Sequence, residues 1–269
     1  MTYQSFKKIF LGTVIISFLF LSFIISQKIL RFSPITLINN DEFSLSPPPN
    51  NCFLSFASDN KVFLHAAYIP PANSLISKYK GLECDLVFHD NKLYCNHNSP
   101  SGQQLHEWVK QLNAPESHYY WLDIKNLNEI NKFMILKIID IALAQNHISH
   151  EQVIIESSSC QNLDVFTDAS YFTSFYLNIP FNNPKLCQKS MQDAVKKAKK
   201  GKFHAVSCDI YGHELCKKYF PNMLYLHWGI PTSNNILPVS EFFRKLFYTT
   251  TYQKISKDPR VRVMLVDPV

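Results

Sequence analysis

The stretch YYWLDIK, residues 119–125, is a run of apolar residues that ends in an aspartate and a lysine. Such a short run is typical of a buried strand, and the chain contains eight of them with a helix-like stretch in each gap. The eight runs cover 61–67, 82–88, 119–125, 152–157, 172–179, 203–209, 223–229 and 261–267. The helix candidates lie at about 73–80, 102–112, 127–146, 160–169, 187–200, 211–219 and 238–250.

Eight strands that alternate with helices predict an α/β protein with a parallel (β/α)8 or TIM barrel. The barrel would be compact, because residues 52–269 give it only about 218 residues. An open doubly wound sheet is the competing architecture. We disfavour it because no glycine-rich phosphate loop follows any of the runs.

The composition limits the class of protein further. Hydrophobic residues make up 46% of the 269 residues and charged residues only 18%, which excludes a disordered or fibrous chain. The formal net charge is +6, but the cations are scattered apart from one lysine cluster at 195–202. A dedicated nucleic-acid-binding protein would concentrate them on one face, so we expect no nucleic-acid partner.

The N-terminus contains an uncharged segment, from Ile9 to Gln27, that is nineteen residues long. A helix of that length crosses a hydrocarbon core of about 30 Å. A cleaved signal peptide is the alternative, but small residues of a cleavage site are missing, which favours an uncleaved anchor. The expected order is a cytoplasmic tail (1–8), one transmembrane helix (9–27), a linker (28–51) and the barrel domain (52–269). The barrel would then lie on the exported side of the membrane, periplasmic or extracellular.

The chain has seven cysteines, and it has no CxxC pair that would indicate a zinc ribbon or a thioredoxin-like site. Two interpretations stay open. In an oxidising compartment some of the cysteines form disulfides and at least one thiol is left over. Alternatively, several of them are small buried hydrophobic residues.

Titratable residues concentrate at the ends of the first three predicted strands, where a barrel of this kind carries its active site. They are His65, Glu83, Asp85, His97, Asp123 and Lys125. Strand side chains alternate in direction, so Glu83 and Asp85 share one face, as do Asp123 and Lys125. Three converging carboxylates repel one another unless a cation binds, and an all-oxygen set suits Mg²⁺ or Ca²⁺. Two histidines beside such a metal would supply a general acid and a general base.

These segments resemble the phospholipase C-like phosphodiesterase superfamily, which includes glycerophosphodiester phosphodiesterases, sphingomyelinase D-like enzymes and the menorin group. The resemblance rests on LHAA (64–67), GLECDLVF (81–88), YCNHN (94–98) and WLDIKN (121–126), with further similarity in PPANSL (70–75) and LYLHWG (224–229). It implies a TIM barrel in which Glu83, Asp85 and Asp123 ligate Mg²⁺ or Ca²⁺. It also implies that His65 and His97 are the acid–base or nucleophilic pair, and that Lys125 stabilises phosphate charge.

Three positions depart from the glycerophosphodiesterase pattern. Ala66 stands where these enzymes typically have arginine, while Ala72 and Asp123 each stand where they have glutamate. An aspartate followed by lysine resembles the sphingomyelinase D-like pattern, and His-Ala with LExD and LDxK resembles the menorin group. The substrate therefore stays open within the superfamily.

The expected function is that of a metal-dependent phosphoric diester hydrolase, or a phospholipase D-like lyase, with a glycerophosphodiester or lysophospholipid-like substrate. Trp228, Tyr176 and Glu156 are candidates for substrate binding at the barrel opening. The alternative is a catalytically inactive, membrane-anchored barrel that acts as a binding or scaffold domain, which the missing arginine permits. A polysaccharide deacetylase is disfavoured, because that chemistry normally recruits a histidine-rich metal set. The oligomeric state is left open.

Overall fold

The eight predicted strands form a closed barrel in the computed structural model, which describes residues 62–69, 75–180, 184–230 and 252–266. Neighbouring strands around the barrel are parallel, and the first strand closes it by pairing with both the second and the last. The predicted TIM-barrel architecture is thereby confirmed, and an open sheet is excluded.

The barrel strands begin and end close to the predicted runs. They are β1 (Val62–Leu64), β2 (Gly81–His89), β4 (Tyr119–Ile124), β5 (Val153–Ser157), β6 (Phe172–Tyr176), β7 (Ala205–Asp209), β8 (Leu224–Ile230) and β9 (Val261–Val266). A further strand, β3 (Lys92–Cys95), pairs antiparallel with β2. Asp90 and Asn91 at the tip of this hairpin have φ angles of 47° and 57°, as a tight hairpin turn requires. The segment HDNK (89–92) is typical of a turn, but its composition does not predict the returning strand.

The described residues contain five α-helices with both ends assigned and one further helical stretch. They are α1 (Leu105–Gln111), α2 (Lys132–Ala144), α3 (Asp164–Asp168), α4 (Pro184–Ala198) and α5 (His213–Tyr219), and residues 252–256 are also helical. Short 3-10 turns occur at Ile76–Lys78, Pro115–Ser117, His150–Gln152, Cys160–Asn162 and Ile210–Gly212. The first predicted helix, 73–80, is reduced to one such turn in its described part, and the predicted helix at 238–250 lies outside the described residues.

The barrel interior is built in layers, because strand side chains alternate between the inside and the outside. Buried apolar side chains form a floor layer that consists of Phe63, Trp121, Ile154, Phe172, Ala205, Leu226, Val263 and Leu265. The side chains that face outward pack in a larger apolar cluster beneath the helices. On β4 to β7, the next inward-facing position lies two residues beyond the floor layer, towards the C-terminal end of each strand. The residues at these four positions are polar and buried: Asp123, Glu156, Ser174 and Ser207. We call these four residues the polar layer.

Gly81 allows the ring of Phe63 to enter the floor layer. A Cβ atom at position 81 would lie only 2.0 Å from Cδ1 of Phe63, whose side chain is fully buried. We therefore expect Gly81→Ala to lower the free energy of unfolding in urea by about 2 kcal/mol. Adding Phe63→Leu should restore part of that loss, because a smaller side chain relieves the overlap. A Gly81→Ala chain as stable as the wild type would contradict this packing.

The six cysteines in the described ranges are buried thiols. The sulfur atoms of Cys208, on β7, and Cys216, on α5, lie 3.0 Å apart in the layer between barrel and helices. Cys52 lies outside the described residues. Burial of all six agrees with the interpretation that they pack as small hydrophobic side chains, while disulfide formation stays a prediction.

Two buried histidines are held in the neutral form: His227, on β8, and His204, which directly precedes β7. Burial, reinforced by the charge of His213, lowers the pKa of His227 to about 3. Burial, with the charge of Lys202, lowers the pKa of His204 to about 4. The Nδ1 atom of His204 lies 3.0 Å from the N–H of Thr173 and accepts its hydrogen bond, which only an unprotonated nitrogen can do.

The buried His204 ring should make the fold sensitive to acid. Its pKa is lower in the folded chain than its ordinary value of about 6.5, so its contribution to stability is lost as the pH falls through 6.5 towards 4. Between pH 7 and pH 5 this loss is about 2 kcal/mol. His204→Asn keeps an acceptor for Thr173 but does not titrate. From pH 7 to pH 5, the free energy of unfolding of His204→Asn should therefore fall by about 2 kcal/mol less than that of the wild type. Equal losses in the two chains would contradict a lowered pKa for His204.

The predicted cytoplasmic tail, transmembrane helix and linker all fall outside the described residues, which begin at residue 62. The predicted start of the barrel domain at residue 52 lies in the same undescribed stretch. Among the residues that the structure describes, no helix is both long and apolar enough to cross a membrane.

Candidate active site

His65 and Glu83 meet at the C-terminal opening of the barrel, which we call the mouth. His65 directly follows β1, where its N–H donates to the carbonyl of Val266 on β9 at 2.8 Å. The buried Glu83 carboxylate lies 3.8 Å from the ring (Oε2 to Nε2) and accepts the N–H of Ala66 at 2.7 Å. Ala66 has a φ angle of 48°, so the chain turns sharply here and directs its N–H towards the carboxylate.

Lys125 bridges the two aspartates of the site. Its Nζ atom lies 2.5 Å from Oδ1 of Asp85 and 2.5 Å from Oδ2 of Asp123. The aspartates are register partners on β2 and β4, and the N–H of Lys125 extends the same ladder by donating to the carbonyl of Leu86 at 2.9 Å. The Tyr68 hydroxyl donates to the other oxygen of Asp85 at 2.9 Å. Both oxygens of Asp85 are therefore occupied.

The site holds more carboxyl groups than the single ammonium group of Lys125 can pair. Burial, and next the charge of Asp85, raise the pKa of Glu83 to about 8. Burial also raises the pKa of Asp123, although the charge of Lys125 opposes this effect. Burial acts to lower the pKa of Lys125, but the charges of Asp123 and Asp85 outweigh it and raise that pKa above its ordinary value. Without a bound cation, the Glu83 and Asp123 carboxyls are therefore shifted towards their protonated forms, while Lys125 stays protonated.

Glu156 extends this group of buried carboxyls onto β5. It is the register partner of Asp123, and its side chain is almost completely buried. Burial, followed by the charge of Asp123, raises the pKa of Glu156 well above its ordinary value, while the hydroxyls of Ser207 and Ser174 act in the opposite direction. A fourth buried carboxyl group thus adjoins the proposed metal ligands.

Tyr176 and Trp228 stack over the polar layer at the mouth. Their ring centroids lie 5.6 Å apart with 17° between the ring planes. The Nζ atom of Lys125 lies 5.7 Å from the centroid of the Tyr176 ring, which places this aromatic pair beside the charged cluster. Burial, and then the charge of Asp123, raise the pKa of Tyr176 to about 12, so its hydroxyl stays protonated.

His97 is the predicted site residue that the structure does not bring into the cluster. Its ring is exposed, and Nδ1 lies 2.6 Å from Oδ1 of Asn98. Within the described residues it makes no hydrogen bond or ion pair with the other candidates, although its charge acts on Asp123 and lowers the pKa of that carboxyl. The other predicted residues, His65, Glu83, Asp85, Asp123, Lys125, Glu156, Tyr176 and Trp228, all lie at the mouth or directly below it.

The structure adds three residues that sequence reasoning missed. Tyr68 contacts Asp85 because the chain turns at Ala66, and no sequence pattern reveals such a turn. Ser174 and Ser207 could have been found, because each lies two residues beyond a floor-layer residue and therefore points inward.

The donor chemistry of the site fits a hard divalent cation. Glu83, Asp85 and Asp123 offer only oxygen atoms, and with Glu156 they place four buried carboxyl groups beside a single ammonium group. In the described ranges, no three acidic, histidine or cysteine side chains already converge as metal ligands do. The ammonium group of Lys125 lies between the two aspartates, so a cation that both of them ligate would have to displace it.

Solved structures with a similar fold include several named as phosphodiesterases. A glycerophosphoryl diester phosphodiesterase from Agrobacterium tumefaciens is 12% identical, with 77% of this chain and 92% of that chain covered and a TM-score of 0.50. One from Silicibacter pomeroyi is 11% identical, with 76% and 95% covered and a TM-score of 0.49. An Oleispira antarctica phosphodiesterase, in complex with the product sn-glycerol-3-phosphate, is 10% identical, with 79% and 94% covered and a TM-score of 0.45.

The match to the Agrobacterium structure establishes a shared fold. No protein-family model matches the chain, and neither does any curated protein. The chain therefore has the TIM-barrel fold of that structure.

Proposed function

We propose that the chain is a metal-dependent phosphoric diester hydrolase whose substrate is a glycerophosphodiester or a lysophospholipid-like molecule. The observation that carries this proposal is the bridge from Asp85 through Lys125 to Asp123, which adjoins the contact between His65 and Glu83. It combines a fixed positive charge with carboxyl groups that would become anionic ligands when a divalent cation binds. A phosphodiester needs both, because its oxygens gain negative charge in the transition state.

The residues of the mouth have separate roles in this proposal. Glu83, Asp85 and Asp123 would hold Mg²⁺ or Ca²⁺, which when bound polarises a phosphoryl oxygen. Lys125 would stabilise the charge that develops on the phosphoryl oxygens. His65 and His97 would form the proton-transferring pair: one accepts the proton of the attacking hydroxyl, of water or of the substrate itself, and the other protonates the leaving alcohol.

The proposal also assigns the surroundings of the mouth. The stacked rings of Tyr176 and Trp228 would pack against the substrate beside Lys125. Residues 9–27 would anchor the chain in a membrane, with the barrel on the exported side, so that a lipid-derived substrate is available nearby.

The test measures hydrolysis of a panel of glycerophosphodiesters and lysophospholipids by the full chain in detergent micelles, with Mg²⁺, with Ca²⁺ and with a chelator. We expect turnover that the chelator abolishes. The double variant His65→Gln with Glu83→Gln should lose it, whereas His106→Gln with Glu151→Gln, which changes two exposed residues, should keep it.

Two outcomes would overturn the proposal. Turnover that survives the double substitution at His65 and Glu83 would show that the chemistry lies elsewhere. Metal binding without turnover on any member of the panel would favour a binding or scaffold domain instead.

A further inference from the structure

Two cysteines face each other in the layer between β7 and α5. Cys208 lies in β7, where it is the register partner of His227 on β8. Cys216 lies on the buried side of α5, about one turn after His213. Both cysteines belong to the apolar cluster beneath the helices, and their side chains are 0% and 1% exposed. Because a strand and a helix fix the two backbone positions, the two sulfur atoms are held in one place.

The two sulfur atoms lie closer together than side chains that merely pack. Sγ of Cys208 and Sγ of Cys216 are 3.0 Å apart. Unbonded carbon atoms pack best at about 3.5–4.0 Å, and a sulfur atom is larger than a carbon atom. A disulfide bond is about 2.05 Å long, so a shift of about 1 Å would bring the two atoms to bonding distance. The pair therefore needs no rearrangement of β7 or α5 to become bonded.

We propose that Cys208 and Cys216 are joined by a disulfide bond that ties α5 to β7. The bond forms by exchange with a disulfide oxidant, such as oxidised glutathione or the disulfide of a thiol oxidoreductase. Two S–H bonds break and one S–S bond forms, while two electrons and two protons pass to the oxidant, which is reduced to two thiols. The exported side of a membrane, where we place the barrel, supplies such oxidants. The inference is independent of the proposed phosphodiesterase activity.

Burial determines when this bond can form. Burial raises the pKa of the Cys208 thiol well above its ordinary value, and the contact with Cys216 adds to the effect. The thiolate, which is the form that attacks a disulfide, is therefore scarce once the chain has folded. The two buried sulfur atoms are also inaccessible to an oxidant in the folded chain. Oxidation should therefore accompany folding, and the finished bond should resist reductants for the same reason.

Cys187, on α4, is the competing partner for Cys216. It is also buried, and after burial itself the neighbouring Cys216 is the next cause that raises the pKa of the Cys187 thiol. The short contact of Cys216 is nevertheless with Cys208. We therefore expect Cys208, rather than Cys187, to bond to Cys216.

Peptide mass spectrometry distinguishes these two pairings. The full chain is unfolded and reduced in urea, refolded in detergent micelles with reduced and oxidised glutathione, and then unfolded again for alkylation and digestion with trypsin. Residues 203–217 form one tryptic peptide that contains Cys208 and Cys216 but no third cysteine. We expect most of this peptide to be unalkylated and lighter than its dithiol form by the two hydrogen atoms lost. A bond from Cys216 to Cys187 would instead join it to the peptide 186–189.

The melting temperature gives a second readout. The chain refolded with the glutathione mixture should melt about 5 °C or more above the chain refolded with a reductant, because the bond restricts the unfolded chain. Cys216→Ala should remove a difference of that size. Cys187→Ala, the matched control at another buried cysteine, should keep both the difference and the internally bonded peptide 203–217.

A peptide 203–217 that carries two alkyl groups after refolding with oxidised glutathione would overturn the proposal. A link between the peptides 203–217 and 186–189 in place of the internal bond would overturn it as well. So would an internally bonded peptide in the wild type whose loss in Cys216→Ala leaves the difference in melting temperature unchanged, because such a bond would not tie α5 to β7.

Discussion

Replacement of Lys125 by methionine should lower phosphodiester turnover by about a thousandfold, since the loss of one charge-stabilising donor costs a hundredfold to a thousandfold and this donor is a full cation. Methionine keeps most of the length and apolar volume of the side chain but cannot neutralise phosphate charge. The effect should fall on kcat, because the interaction strengthens as the phosphoryl oxygens gain charge. Steady-state kinetics with saturating Mg²⁺ would measure it.

Lys137→Met is the matched control for this variant. Lys137 is exposed on α2, so its replacement should leave kcat within about twofold of the wild type. Wild-type kcat in Lys125→Met would remove Lys125 from the mechanism, and an increase in KM alone would assign it to substrate binding instead.

Glu83→Gln should stabilise the metal-free chain while it abolishes turnover. The pKa of Glu83 is raised to about 8, so at pH 7 the folded chain must either take up a proton or hold an unfavourable buried charge. Relative to an ordinary carboxyl that titrates near 4.5, this costs on the order of 3 kcal/mol at pH 7. Glutamine removes the charge and can still accept the N–H of Ala66. The free energy of unfolding in urea, with a chelator present, should therefore rise by about 3 kcal/mol.

The same argument gives the pH dependence of the effect. Because folding raises the pKa of Glu83, this group destabilises the folded chain increasingly as the pH rises from 4.5 towards 8. The gain in free energy of unfolding from Glu83→Gln should therefore grow over that interval. Glu151→Gln, at an exposed position, should show no such trend. A metal-free Glu83→Gln chain that is less stable than the wild type at pH 7 would show that folding does not raise the pKa of this carboxyl.

Much of the fold could be read from the sequence because the barrel strands are short apolar runs with clear ends. The run 119–125 corresponds to β4 almost residue for residue, and it carries Asp123 and Lys125 to the mouth as predicted. The strand β3 escaped notice because it has four residues and begins with an exposed lysine, Lys92, so it lacks the apolar character of a barrel strand. Its position depends on pairing with β2 rather than on its own composition.

The site was predictable where strand periodicity determines it and unpredictable where backbone turns and pairing determine it. Period two identifies the inward faces of β2 and β4, which is why Glu83, Asp85 and Asp123 were found. The same rule could have found Ser174. The contact of Tyr68 with Asp85 depends instead on a single left-handed residue, which a run of two alanines does not predict.

The phosphorus-31 NMR spectrum of a glycerophosphodiester incubated with the full chain and Mg²⁺ tests the account most directly. The wild type should convert the diester signal into that of a phosphomonoester or a cyclic phosphate, and chelation should stop the conversion. Asp123→Asn should convert none, because it loses both a proposed ligand and the partner of Lys125. An unchanged diester signal with the wild type, across substrates with different alcohol arms and with either Mg²⁺ or Ca²⁺, would contradict the account.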